Sequence, residues 1–68
     1  MEIIKQRLTE ELKATGLTTK QIADKIGVSP EMVTQYTTTK KLPKLDTFAK
    51  ICKELELSAD YLLGLKDY

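Results

Sequence analysis

The chain has 68 residues, which is enough for one small domain and excludes large substrate clefts and nucleotide-binding α/β folds. It has no histidine and one cysteine, Cys52, so an internal disulfide, a Cys/His zinc site and a histidine-based triad are excluded as well. The longest apolar run is Tyr61-Leu62-Leu63, and no membrane span is predicted. We therefore expect a cytosolic domain that is not an enzyme and has no cofactor, metal or small-molecule substrate.

Two amphipathic helices are predicted in the first 27 residues. Apolar residues recur every four positions in the first of them, at Ile4, Leu8 and Leu12. We expect about three turns, ended by Gly16 in the left-handed conformation. The second helix begins at Thr18, and Gln21 lies at the spacing of a capping box. It is two turns long, buries Ile22, Ala23 and Ile26, and ends at Gly27.

Three further short helices follow. Ser29-Pro30 is a strong helix start, and the third helix is predicted from Pro30 to about residue 38, with Val33 and Tyr36 inward. Apolar spacing predicts a fourth helix over about 45–55. A fifth begins after Ser58 and ends at Gly64. Since no strand pattern occurs, the fold class is all-α, with five short helices.

The second and third helices are joined by a short turn that contains Gly27. Two helices in this arrangement project the second one, and such a helix fits the major groove of B-DNA. The charge distribution agrees, although a net charge of +1 is too small to indicate DNA by itself. Residues 18–44 carry five lysines against two acidic residues, a net +3, whereas the remainder carries six basic and eight acidic residues, a net −2.

The sequence resembles a known family at this point. Residues 17–33 (LTTKQIADKIGVSPEMV) are similar to the helix-turn-helix of the Cro/repressor, or lambda repressor-like (XRE), family, and residues 40–45 (KKLPKL) and 57–64 (LSADYLLG) continue the likeness. The resemblance covers about residues 4–64. It implies a compact five-helix DNA-binding domain of transcriptional regulators that act as dimers on two-fold-related half-sites. The domain is then 1–64, with the helix-turn-helix proper at about 18–38, and 65–68 are either a tail or the start of a linker.

Four positions depart from the family pattern. Many members pair an arginine late in helix one with a glutamate near the end of the recognition helix, and those positions are Leu12 and Thr37 here. Because one buried charge without its partner is costly, the paired loss predicts a Leu12–Thr37 contact. Two common glycines are replaced by Thr39 and Glu56. A positive φ at either position would store strain.

The side chains opposite Val33 and Tyr36 are the candidates for base contacts. Gln35 is the strongest candidate, because its amide can pair with N6 and N7 of adenine. The alternative is that Gln35 is an exposed polar residue without a role in binding. Glu31 either accepts from N4 of cytosine or only stabilises the helix dipole. The full predicted set is Pro30, Glu31, Thr34, Gln35 and Thr38. Met32 is expected to be half-buried.

Phosphate contacts are predicted from the start of helix two, the end of helix three and the basic loop. The residues are Thr18, Thr19, Thr37, Lys40, Lys41 and Lys44. A dimer interface is predicted at Tyr61, Leu65 and Tyr68, whose spacing extends the fifth helix past Gly64. The alternative is that Tyr61 covers the core of its own domain and the last four residues fray.

The predicted function is sequence-specific binding of double-stranded DNA by a prokaryotic or phage transcriptional regulator, with repression by a homodimer the favoured mode. The alternative is a protein-interaction module, such as an antitoxin or adaptor on the same scaffold, which the near-neutral charge keeps open. Salt-dependent binding to duplex DNA distinguishes the two. Cys52, at helical spacing with Phe48 and Leu55, is expected in the core rather than as a redox sensor.

Overall fold

The helices of the computed structural model, which describes residues 2–68, agree with the predicted all-α class. Their bounds are α1 Glu2–Ala14, α2 Thr19–Ile26, α3 Pro30–Thr38, α4 Leu45–Glu54 and α5 Ala59–Leu62. No strand occurs within residues 2–68. None of the helices described there has the length and apolar character needed to cross a membrane.

Side-chain caps mark where α2 and α3 begin. The Thr18 hydroxyl accepts from the Gln21 backbone N–H at 3.1 Å, and the Gln21 side chain accepts from the Thr18 N–H at 2.9 Å, so the predicted capping box is formed. The Ser29 hydroxyl accepts from the Met32 N–H at 3.2 Å and starts α3. Between these helices Gly27 has φ 73°, a conformation that favours glycine. The predicted caps at Thr18 and Ser29 and the turn at Gly27 between the two helices are confirmed.

One apolar core lies between the helices. It is formed by the buried side chains of Leu8, Leu12, Ile22, Ala23, Ile26, Val33, Tyr36, Ile51 and Leu62. Leu8, Ala23, Ile51 and Leu62 are completely buried. Burying a large aliphatic side chain stabilises a fold by about 1.5–3 kcal/mol, so these residues supply most of the driving force. Leu45 belongs to the apolar pattern of α4 but is 85% exposed and contributes little to it.

Arg7 fixes the end of the chain against α1. Its guanidinium donates to the carbonyls of Tyr61 and Lys66, both at 2.7 Å, and lies 4.2 Å from the centre of the Tyr61 ring. Carbonyl groups at the end of a helix carry partial negative charge, and the flat guanidinium stacks on the ring while its N–H groups bond to them. Arg7 thereby holds the end of α5 on α1.

The predicted extension of the fifth helix past Gly64 is wrong. The helix α5 ends at Leu62, and Gly64 has φ 79°. The N–H of Leu65 turns back to the Asp60 carbonyl at 2.8 Å, which closes the helix. A helical stripe of Tyr61, Leu65 and Tyr68 is therefore not formed.

The departures from the family pattern have different structural outcomes. Glu56 has φ 54°, so a left-handed backbone is kept where the family has glycine. Thr39 has φ −124° and ψ −177°, an extended conformation without strain. Leu12 and Thr37 border the same surface depression, and the predicted contact between them stays a prediction. The Thr37 hydroxyl donates to the Thr34 carbonyl at 3.1 Å within its own helix.

Candidate nucleic-acid interface

The helix α3 lies on the surface with one face buried and the other open. Val33 and Tyr36 are its buried anchors, only 2% and 3% exposed. The five predicted base-contact residues are all exposed, and they are Pro30, Glu31, Thr34, Gln35 and Thr38. Because positions three and four apart share a helix face, the last four of them form one stripe. The structure therefore brings the predicted base-contact set together on one surface.

Met32 and Thr37 lie at the edges of this stripe. Both are half-buried. Met32 packs against the core, as the sequence predicted for it. Thr37 was predicted to contact phosphate, but its hydroxyl proton is already donated to the Thr34 carbonyl. Thr37 is less exposed than the other residues predicted to contact phosphate.

The ammonium group of Lys5 fixes the C-terminal end of α3. Its Nζ donates to the Lys41 carbonyl at 2.7 Å, to the Gln35 carbonyl at 3.3 Å, and to the Tyr36 carbonyl. Thr9, one turn further along α1, donates from its hydroxyl to the Tyr36 carbonyl at 3.3 Å. Partial burial lowers the pKa of Lys5. A cation at the end of a helix stabilises the helix dipole, so α1 sets the position of α3.

Sequence reasoning missed this role of Lys5 and Thr9. The signal was weak: two polar residues four apart on α1, next to its apolar stripe. Their partners are backbone carbonyls 27 to 36 residues away along the chain. Backbone carbonyls have no side-chain signature, so the pairing is visible only in the structure.

Five of the six residues predicted to contact phosphate lie at the start of α2 or beyond the end of α3. Thr18 and Thr19 are exposed at the start of α2, where the capping box engages the Thr18 and Gln21 amides. The amides of Thr19 and Lys20 have no intrahelical partner at that position. Lys40, Lys41 and Lys44 are exposed beyond the other end of α3. These exposed residues therefore lie at the start of α2 and beyond the end of α3, and their contacts with phosphate stay a prediction.

The three residues predicted for the dimer interface lie apart from this face. Tyr61 is half-buried and packs against the core beneath Arg7, which agrees with the alternative interpretation that it covers its own domain. Leu65 is 71% exposed and Tyr68 83% exposed. Tyr61 and Tyr68 border one shallow groove, with Glu11 and Glu56 beside them.

A family model described as helix-turn-helix matches residues 8–62, which includes all of α2 and α3. The chain belongs to the helix-turn-helix family. The order of caps, turn glycine and exposed second helix described above is therefore that of a helix-turn-helix domain of the Cro/repressor type.

Curated relatives of this helix-turn-helix domain are named as transcriptional regulators or repressors. It is 39% identical over 62 residues to YobD of Bacillus subtilis (strain 168), an uncharacterized HTH-type transcriptional regulator, covering 91% of this chain and 55% of the relative. It is 39% identical over 61 residues to the cryptic phage CTXphi transcriptional repressor RstR of Vibrio cholerae (serotype O1, strain El Tor Inaba N16961), covering 90% and 54%.

A third relative is the HTH-type transcriptional regulator ImmR of Bacillus subtilis (strain 168), 32% identical over 59 residues, with 87% of this chain and 46% of ImmR covered. The chain thus spans about half the length of the curated relatives it matches. No solved structure matches the sequence significantly.

Proposed function

We propose that this domain binds double-stranded DNA sequence-specifically, with α3 in the major groove, and regulates transcription by occluding a promoter. The observation that carries the proposal is the open face of α3, which is anchored from below by Val33 and Tyr36. An α-helix presented in this way fits the groove, which is about 12 Å wide. The names of the relatives, one of them a phage repressor, favour the same function.

The residues divide into two roles in this proposal. Glu31, Thr34, Gln35 and Thr38, with Pro30 at the helix start, meet the edges of the bases. Thr18, Thr19 and the lysines 40, 41 and 44 hold the phosphates on either side. Phosphate contacts set the register, and base contacts supply the specificity. Thr37 adds a phosphate contact if its hydroxyl exchanges its intrahelical partner.

We infer that two copies bind two-fold-related half-sites about 34 Å apart. A face with few cations binds DNA weakly on its own, and pairing two copies multiplies the affinity. Leu65 and Tyr68 expose apolar surface that a second copy would cover. Sedimentation of the protein with duplexes that carry one or two half-sites tests this inference. Binding of one copy per two-half-site duplex would contradict it.

Selection from a randomised duplex pool tests the central proposal. The wild-type domain is expected to enrich a motif, and Gln35→Ala to lose preference at one position in each half-site. Gln6→Ala is the matched control, because Gln6 is an exposed glutamine on α1 outside the α3 stripe. The control should select the wild-type motif. If the wild type enriches no motif, the proposal is wrong.

The second candidate is a protein-interaction module, favoured by the net −2 outside residues 18–44. Salt dependence separates the candidates. Three lysines that each neutralise one phosphate predict a slope of about −3 per half-site for log K against log salt concentration. An adaptor shows no salt-dependent binding to duplex DNA.

A further inference from the structure

The open face of α3 offers hydrogen-bond acceptors almost exclusively. The helix contains neither lysine nor arginine. Glu31 presents a carboxylate, which only accepts when ionised. Gln35 is the one member of the stripe whose side chain has N–H donors, on its amide nitrogen.

The two threonines of the stripe have already used their hydroxyl protons. The Thr34 hydroxyl donates to the Pro30 carbonyl at 3.2 Å, and the Thr38 hydroxyl donates to the Thr34 carbonyl at 2.7 Å. Each hydroxyl has a single proton, so what remains on Oγ1 is acceptor capacity, beside the side-chain methyl group. To donate to a base, either threonine would have to give up its bond to the helix.

The lysines near α3 do not supply donors to its exposed stripe. Lys5 is close to the end of α3, but its ammonium donates to three backbone carbonyls. Lys40 and Lys41 follow the helix and lie beyond its last turn. They flank the stripe, where the phosphates would run in the proposed complex.

Each base presents a different edge to such a surface. Guanine offers the acceptors O6 and N7, which require donors from the protein. Adenine and cytosine offer the exocyclic amines N6 and N4, and thymine offers a methyl group. An acceptor-rich stripe with methyl groups matches amines and methyl groups. The one side-chain donor it has for O6 or N7 of guanine is the Gln35 amide, which pairs with adenine in the proposed complex.

We propose that α3 recognises half-sites through adenine or cytosine amines and thymine methyl groups, with Thr34 and Thr38 as acceptor and methyl readers, and makes no contact with O6 or N7 of guanine. The proposal rests on the proposed function and specifies the class of operator. Gln35 agrees with it, because its carbonyl accepts from N6 of adenine while its amide donates to N7.

Single-atom changes in the operator test the proposal. A duplex selected by the wild type is resynthesised with purine for adenine, pyrimidinone for cytosine, uracil for thymine or 7-deazaguanine for guanine, one position at a time. Loss of an amine read by a threonine is expected to weaken binding about 2- to 10-fold. The 7-deazaguanine duplexes are expected to bind like the parent.

Thr34→Val and Thr38→Val are the matched protein variants. Valine keeps the branched shape and one methyl group at the same place but has no acceptor. On exposed positions it should leave the fold and the non-specific binding intact, which circular dichroism and a random duplex verify. In the variant that has lost the relevant acceptor, removal of the amine should cost nothing further.

The outcomes distinguish the acceptor-reading proposal from the proposed DNA binding on which it rests. If the wild type selects no motif, DNA recognition and this inference both fail. If a motif is selected, but 7-deazaguanine weakens binding more than 10-fold, or removal of each amine weakens both valine variants as much as it weakens the wild type, sequence-specific binding stands and the acceptor-reading inference is overturned.

Discussion

The side chain of Lys5 donates a hydrogen bond to the backbone carbonyl of Tyr36, thirty-one positions later in the chain. Tyr36 is the buried aromatic anchor of α3, and Lys5 also donates to the neighbouring Gln35 carbonyl at 3.3 Å. The ion pair that the resemblance implies between α1 and α3 is absent, since Leu12 and Thr37 occupy its positions. A different cation of α1 therefore fixes the same helix, through the backbone instead of a carboxylate.

Replacing Lys5 by methionine is expected to loosen the end of α3. Methionine keeps much of the length and apolar stem but cannot donate, so three carbonyls lose a charged donor. We expect the free energy of unfolding to fall by about 1–2 kcal/mol. Urea denaturation measures the fall. Amide exchange between Tyr36 and Lys41 should accelerate more than in α2.

Lys13→Met is the control for general charge loss. Lys13 is an exposed lysine of the same helix, so its loss should change stability by about 0.5 kcal/mol or less. The two variants have the same net charge. An equal effect of both on stability and on exchange in α3 would show that Lys5 acts only as a surface charge.

Ionisation of the Tyr36 phenol is expected to lower the free energy of unfolding in alkaline solution. Burial raises the pKa of its phenol above the usual value, and the nearby carboxylate of Asp46 raises it further. In the unfolded chain the phenol ionises at a lower pH than in the folded protein. The contribution of the neutral phenol to the free energy of unfolding is therefore fully present below about pH 10 and is lost as pH rises through the folded pKa. Urea denaturation across that range should show a smaller alkaline loss for Tyr36→Phe than for the wild type. Identical profiles would contradict the assignment.

The sequence was most informative where structure depends on neighbouring residues. The Thr18–Gln21 capping box, the Ser29-Pro30 start and the Gly27 turn act over three or four positions, and all of them were predictable. The exposed stripe of α3 followed from helical spacing alone. The contacts of Lys5 and Arg7 were not predictable, because their acceptors are distant carbonyls.

The end of the chain shows why a periodic pattern is insufficient. Tyr61, Leu65 and Tyr68 have helical spacing, but the spacing says nothing about the backbone between them. Gly64 takes a left-handed conformation, and the Leu65 N–H bonds back to Asp60. The Tyr61 and Lys66 carbonyls then accept from Arg7. These tertiary contacts override the pattern.

Cys52 is expected to react slowly in the native protein. Burial raises the pKa of its thiol, and the side chain is half-buried against the core. At about pH 8 a disulfide reagent should modify native Cys52 at least about ten-fold more slowly than the urea-unfolded chain. The control is Ala49→Cys in a Cys52→Ser background, an exposed position on the same helix. Equal rates for the two cysteines in the native state would make Cys52 an accessible thiol.

Glycine substitutions at positions 56 and 39 should have opposite effects. Glu56 has φ 54°, which glycine adopts without strain, so Glu56→Gly is expected to raise the free energy of unfolding by about 1 kcal/mol despite the more flexible unfolded chain. Thr39 is extended, and its hydroxyl donates to the Gln35 carbonyl at 2.7 Å and accepts from the Lys41 N–H at 3.1 Å. Thr39→Gly should therefore lower it by about 1–2 kcal/mol.

Thermal unfolding measures both changes, since about 1 kcal/mol shifts the midpoint of a domain this size by roughly 4–8 °C. Alanine variants at the same positions isolate the backbone effect. Glu56→Ala keeps the left-handed strain and should gain nothing, because only glycine relieves the contact between Cβ and its own backbone. If Glu56→Ala stabilises the domain as much as Glu56→Gly, the gain comes from removing a negative charge just beyond the C-terminal end of α4, and the positive φ carries no strain.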